Sequence, residues 1–377
     1  MSQRPVPFGV VTRFAPSPIG SMDIVTARTA LFNYLFARHC GGRFLLRIED
    51  KGPEGPETAS VRTIFEGLSW LGIEPDESPT FQSARADRHR KAVEDLLASG
   101  GAYRCWMTPD ETATARLDAH AAGHALRSPW RDRTPGPKAE AMPYVVRLKS
   151  PLTGTTVVED HIQGRVSLQN RDLEDQVLLR SDGVSTYNLA VVVDDHDMGI
   201  THVIRGEDHL SNAVRQSLIY QAFGWEAPLF AHLPGIHDAD GIKLSKRHRA
   251  PTVGELARLG YLPEALRNYL TQLGWSHAGG EIFSDAEAIK WFDIADIDRA
   301  PGQLDIEKLN LINGHYLRQA DDDRLAALVA ETLAGRGQIL TEGQRAALWT
   351  IVPALKDKGA MTLLDLAGQA AVLLENA

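Results

Sequence analysis

Lys243 and Lys246 stand three residues apart in the run GIKLSKRH. Ammonium groups this close can hold and neutralise phosphate oxygens. Taken alone, the run reads as a solvated basic turn. Arg47 and Glu49, two apart in RIED, taken alone read as a surface ion pair, and Tyr187 as a core aromatic. Cys105 is followed by Trp106-Met107, and His120 and His124 stand four apart. Three uncertain ligands without a fourth make a poor structural zinc site, so no metal is expected there. Arg127, Arg131, Arg133 and Lys138 form a visible cluster of cations, the local patch that phosphates need.

Any such residues must be carried by regular elements. Val10 to Phe14 is a short β-rich run, broken into a loop by Pro16, Pro18 and Gly20. From Ile24 to His39 the apolar residues Ile24, Ala27, Leu31, Leu35 and Phe36 share one helical face. Gly41-Gly42 stops that helix, and Phe44 to Ile48 is apolar over strand length. Strand, crossover helix and strand seed a parallel α/β sheet. The stretch from about 100 to 185 differs. It carries SPWRDRTPGPK and strand-like pieces at Tyr144–Leu148 and Arg165–Gln169, and reads as an insertion. The sheet resumes with STYNLAVVVDDHDMGITHVIRGEDHL, where Val191–Val193 is too short for periodicity to separate strand from buried helix. Beyond about 250, ADDDRLAALVAETLAG and TEGQRAALWTIVPALKDK are amphipathic at helical spacing, and MTLLDLAGQAAVLLENA reads as one helix.

Composition sets the outer limits. With 377 residues, 43% hydrophobic and 24% charged, the chain is an ordinary globular sequence long enough for several domains. A net charge of −9 argues against a general polyanion binder, yet leaves room for a local basic face. Two cysteines, Cys40 and Cys105, make no disulfide framework and point to a reducing cytosol. The opening MSQRPVPFGV has no signal-peptide character, and no apolar run is long enough to span a bilayer. A cytoplasmic protein without membrane contact is expected.

The motifs then fall in register. VVTRFAPSPIGSMDIVTARTALFNYLFARHCGGRFLLRIED closely resembles the opening of the glutamyl-tRNA synthetase family of class I aminoacyl-tRNA synthetases. YNLAVVVDDHDMGITHVIRGEDHLSNAVRQSLIYQAFGW resembles the second half of the same catalytic domain, and AHLPGIHDADGIKLSKRH resembles its KMSKS loop. YLPEALRNYLTQLGW and the text from Asp305 to Leu317 follow as in the family. The resemblance runs in order from about Val10 to about Arg318.

It implies a Rossmann-like parallel sheet with an inserted acceptor-binding subdomain and an all-α C-terminal region. The expected division is residues 1–100 and 186–250 for the catalytic halves and 101–185 for the insertion. Residues 251–320 would be a helical stem-contact region and 321–377 a shortened anticodon-binding region. The implied activity joins glutamate to ATP, with Mg²⁺, as an adenylate, and moves the glutamyl group to tRNA, tRNA-Glu by implication, in a monomer. Lys243 and Lys246 would be catalytic, with Ser245 and Lys246 on ATP. Arg13 and Arg205 would clamp the substrate carboxylate, Ala15 and Ser17 line the pocket, Glu49 meet the ammonium group and Tyr187 close the wall.

Three departures stand out. Where the family has H-I-G-G or H-I-G-H, this chain has Asp23-Ile24-Val25-Thr26. An ionised Asp23 in the ATP signature can only accept hydrogen bonds, and Val25 adds a branched side chain where glycine is expected. Lys51-Gly52 follows RIED, and His248-Arg249 follows the KLSKR loop. The chain also ends at Ala377, short of the length implied for an anticodon-reading domain. These leave two alternatives open: an inactive paralogue that binds glutamate or a partner as a regulator, and a ligase that glutamylates a different acceptor.

Overall fold

The computed structural model describes residues 9–50, 52, 58–134, 136, 142–245 and 250–375. They form two compact units, each assembled from separated stretches. The first draws on the described residues of 1–17, 40–56 and 75–233, the second on those of 18–39, 57–74 and 234–377.

The first unit is built on parallel strands. Val11–Phe14 pairs in parallel with Arg43–Ile48, which pairs in parallel with Thr80–Phe81. Gly42 permits the first pairing, because a Cβ there would lie 2.0 Å from the Val10 carbonyl oxygen. On the other side of Val11–Phe14 the Thr201 amide donates to the Val11 carbonyl oxygen at 2.9 Å. Thr201 leads into His202–Gly206, which runs parallel to Leu229–Leu233, with Thr155–Asp160 beyond. Gly164–Gln169 closes that edge as an antiparallel hairpin. A separate antiparallel sheet, Ala102–Cys105 with Val145–Leu148 and Val177–Leu179, lies in the stretch that reads as an insertion.

Val191–Val193 is helical, inside Tyr187–Asp197. All three valines are buried, along with Leu189, Ala190 and the two aspartates that follow. A helix buried on most sides has no amphipathic pattern to read, which is why the sequence left the choice open. Its apolar side joins a core with Val11, Leu45, Val93, Leu96, Val146, Val203, Val214 and Phe230.

The second unit contains the Ile24–His39 helix, with the boundaries its periodicity predicts. Arg38 and His39 in its last turn favour the negative helix end, and Gly41 follows with φ +62°. Phe32 of this helix meets Phe292 edge-on at 5.0 Å, and Trp275 lies 5.6 Å from Phe292. Three helices, Asp322–Gly335, Glu342–Leu355 and Leu363–Leu374, pack on one another through Leu325, Val329, Leu348, Val352, Leu366 and Ala370. Side-chain caps start each one: Asp321 accepts from the Arg324 amide, while Thr341 and Thr362 form reciprocal capping boxes with Gln344 and Asp365. No helix among the described residues is long and apolar enough to cross a membrane.

Candidate active site

Parallel pairing places charged side chains beside one another at one end of the first unit's sheet. Arg13 is buried on Val11–Phe14, and its Nε donates to Asp195 Oδ1 at 3.0 Å. Arg47, with no exposed surface, donates to the same Asp195 oxygen at 2.5 Å and to Glu49 Oε1 at 3.2 Å. Arg47 and Glu49 are therefore an interior pair. Burial opposes the Asp195 charge, but Arg13 and Arg47 outweigh it and hold the carboxyl below its ordinary range. Burial dominates at Glu49 and pushes its carboxyl up, against the pull of Arg47 and Arg13.

Arg205 has different company. Its Nε donates to His232 Nε2 at 3.0 Å and its Nη2 to the His209 carbonyl oxygen at 3.3 Å. Its guanidinium carbon lies 5.7 Å from the Phe230 ring centre. Nη1 is buried with no hydrogen-bond partner, and among the described residues no carboxylate lies within ion-pair distance. Burial accordingly lowers the hold of Arg205 on its proton. A buried cation without a counter-charge costs several kcal/mol, and a carboxylate ligand would offset that cost.

Tyr187 begins its helix half-exposed, its hydroxyl 3.4 Å from His209 Nδ1. Burial raises its pKa first; Glu49 adds to the rise, and Arg205 and Arg13 oppose it. Tyr187, Glu49, Arg205 and Arg13 thus lie within electrostatic reach of one another. Ala15 is half-buried and Ser17 exposed on the loop after the first strand, and the Glu49 amide donates to the Pro16 carbonyl oxygen at 3.0 Å. Four residues of this cluster, Asp160, Asp195, His209 and His232, escaped the sequence reading. Asp160, Asp195 and His232 meet partners distant in sequence, and the only local signal was the acidic run DDHD closing a valine-rich stretch.

The second unit carries the other expected residues. Asp23 is buried, and its Oδ1 accepts the Thr26 amide at 2.7 Å while its carbonyl oxygen accepts the Ala27 amide at 2.8 Å. It is the N-cap of the Ile24–His39 helix. The segment is fixed further by the Ile24 amide on the Pro251 carbonyl oxygen and the Val253 amide on that of Met22. Val25 and Thr26 are half-buried. Lys243 bridges to His237, and the Leu244 amide donates to the Ile236 carbonyl oxygen at 2.7 Å. A turn closed by Asp238, whose Oδ1 accepts the Asp240 and Ile242 amides, joins the two segments. Ser245 follows half-buried. Lys246, His248, Arg249, Lys51 and Lys138 lie outside the described residues.

Two sequence-level clusters resolve into internal contacts. Cys105 is buried with its sulfur 3.2 Å from Ser128 Oγ, whereas His120 and His124 are exposed. Arg131 Nη1 donates to both oxygens of buried Asp175, at 2.8 and 2.7 Å. Arg127 lies 3.4 Å from the same carboxylate and donates to the Asn170 carbonyl oxygen at 2.8 Å. Arg133 is exposed.

A family profile described as "tRNA synthetases class I (E and Q), catalytic domain" matches residues 9–311. The chain belongs to that family. A glutamate–tRNA ligase of Caulobacter sp. (strain K31) is 56% identical over 99% of this chain and 78% of its own length. One of Phenylobacterium zucineum (strain HLK1) is 58% identical over 97% of this chain and 77% of its own. The crystal structure of a glutamate tRNA ligase from Elizabethkingia meningosepticum, in complex with its amino acid, superposes with a TM-score of 0.82. It shares 34% identity and is matched over 96% of this chain and 79% of its own. The parallel sheet with its helical second unit is thus a class I synthetase fold.

Proposed function

We propose that this synthetase is a glutamate–tRNA ligase: it activates glutamate with Mg-ATP and passes the glutamyl group to tRNA. The observation that carries the reading is Arg205, a buried guanidinium with an unpartnered Nη1 and, among the described residues, no carboxylate within ion-pair distance. A dicarboxylic amino acid supplies the missing charge in a geometry that suits the arginine fork. Arg13 clamps beside it, Glu49 takes the ammonium group, Tyr187 forms the wall, and Ala15 and Ser17 line the approach. Ser245, Lys243 and Lys246 serve the nucleotide, stabilising charge on the phosphates as pyrophosphate leaves. Mg²⁺ enters with the nucleotide as part of that substrate. The acceptor is tRNA-Glu, the working form a monomer, and the compartment the cytoplasm. The five-part division into catalytic halves, insertion, stem-contact and anticodon regions belongs to the same proposal.

The test is glutamate-dependent ATP–pyrophosphate exchange, together with calorimetric glutamate binding to the parent protein and an Arg205→Ala variant. Exchange in the parent and loss of glutamate binding in the variant are expected. Equal glutamate affinity in both proteins would remove the basis of the assignment.

Asp23 favours a second reading. Its carboxylate occupies the helix N-terminus where the family's ATP signature begins, which suits a paralogue that holds glutamate without using ATP productively. Glutamate binding without Mg-ATP binding or exchange would select it.

A further inference from the structure

The uncharged acceptor that holds Arg205 Nε is itself positioned. His232 is the in-register partner of Arg205 across two parallel strands, so their side chains emerge side by side. Arg205 Nε can only donate, so His232 Nε2, 3.0 Å away, must present its lone pair. The ring proton therefore sits on Nδ1, which donates to Asp160 Oδ2 at 2.5 Å. Asp160 Oδ1 is filled in turn by the backbone amides of Ile162, Gln163 and His232 at 3.0, 2.8 and 3.2 Å. The Asp160 and His232 side chains have no exposed surface. Burial, with Arg205 alongside, keeps His232 below the ordinary imidazole range despite Asp160. At Asp160 burial opposes the charge, but the His232 and Gln163 hydrogen bonds outweigh it and hold the carboxyl low.

We infer that Asp160 and His232 are positioning residues, a buried relay that fixes the imidazole tautomer and thereby aims the Arg205 guanidinium with Nη1 turned to the substrate carboxylate. The inference rests on the proposed role of Arg205. Its physical logic lies in where the acid sits. A carboxylate directly on Arg205 would orient the guanidinium but neutralise it and compete with the ligand. An imidazole orients it without cancelling its charge. The aspartate, one step back, selects the tautomer that can accept.

Asp160→Asn tests the relay. Three amides face the Oδ1 position, so the variant's carbonyl oxygen stays there and its NH₂ turns to His232 Nδ1. The imidazole must then carry its proton on Nε2, against the Arg205 donor. Expected are an Nε2–H signature for His232 in ¹⁵N NMR and a glutamate Kd weaker by roughly tenfold to a hundredfold, the loss of one charged hydrogen bond. The Mg-ATP Kd should stay within twofold. His232→Gln keeps an oxygen acceptor for Arg205 and should bind glutamate more tightly than His232→Leu. A folded Asp160→Asn protein with His232 still protonated on Nδ1, or with unchanged glutamate affinity, overturns the inference. Should that variant fail to fold, equal losses in the two His232 variants overturn it. Arg205→Ala separates the two ideas: if it leaves glutamate binding intact, the clamp assignment fails, while the NMR signature still decides the tautomer relay.

Discussion

Replacing Asp23 separates two roles that its carboxylate combines. As an N-cap it satisfies the Thr26 amide at 2.7 Å, worth about 1 kcal/mol of stability. As a buried negative charge in the ATP signature it opposes the incoming triphosphate. Two charges about 4 Å apart at an effective dielectric of about 20 interact by about 4 kcal/mol, roughly a thousandfold in affinity. Mg²⁺ neutralises part of the phosphate charge, so a gain of about tenfold or more is the expected remainder. Serine caps about as well as aspartate but carries no charge. Asp23→Ser should therefore tighten Mg-ATP binding by about tenfold or more, with stability within about 0.5 kcal/mol of the parent. Asp23→Ala should tighten it similarly but lose about 1 kcal/mol. Calorimetry with Mg-ATP and urea unfolding followed by circular dichroism measure the two effects. An Asp23→Ser protein whose Mg-ATP Kd stays within twofold of the parent would refute the charge argument. An Asp23→Ala protein as stable as Asp23→Ser would refute the capping argument.

Other predictions use the buried charges. Asp195→Asn keeps an oxygen facing Arg13 and Arg47 but leaves both guanidinium groups without their shared counter-charge; urea unfolding should show a loss of about 3 kcal/mol, and a loss under about 1 kcal/mol would contradict the network. Burial is the main cause that brings His202 and His209 down to about 4, so the unfolded chain takes up these protons first. Their contribution is complete above the ordinary 6.5 and is lost as pH falls toward 4, about 3 kcal/mol for His202; His202→Phe should flatten stability measured across that interval. Arg131→Met should destabilise the protein by about 2 kcal/mol by breaking its pairing with Asp175, while the salt dependence of tRNA affinity stays unchanged; a slope reduced by about one would mean that Arg131 contacts phosphate.

How much of this was legible depended on range. The Ile24–His39 helix and its flanking strands could be read because their apolar periods are local and Gly41-Gly42 marks the stop. Arg13, Glu49, Tyr187 and Arg205 were singled out through motifs in register. Their physical setting was not legible, since Asp195 meets Arg13 across 182 residues and Asp160 meets His232 across 72. A single sequence carries no signal for such pairs. The cations around Arg131 failed for the opposite reason. Their closeness in sequence suggested a surface patch, but Asp175, 44 residues on, draws Arg131 and Arg127 into internal contacts.

Among the arginines of the first unit, Arg205 differs from Arg47 and Arg131 in its counter-charge. Arg47 has two carboxylates and Arg131 has both oxygens of Asp175, so each is neutralised within the fold. Removing either acid would strand a buried cation, which makes these pairs scaffold. Arg205 is buried just as deeply yet is held by an imidazole and a carbonyl oxygen, acceptors that steer it without discharging it. A fold gains no stability from leaving a buried guanidinium half-paired. That deficit is what a substrate carboxylate would fill, and it is the reason the proposed recognition of glutamate is centred on Arg205.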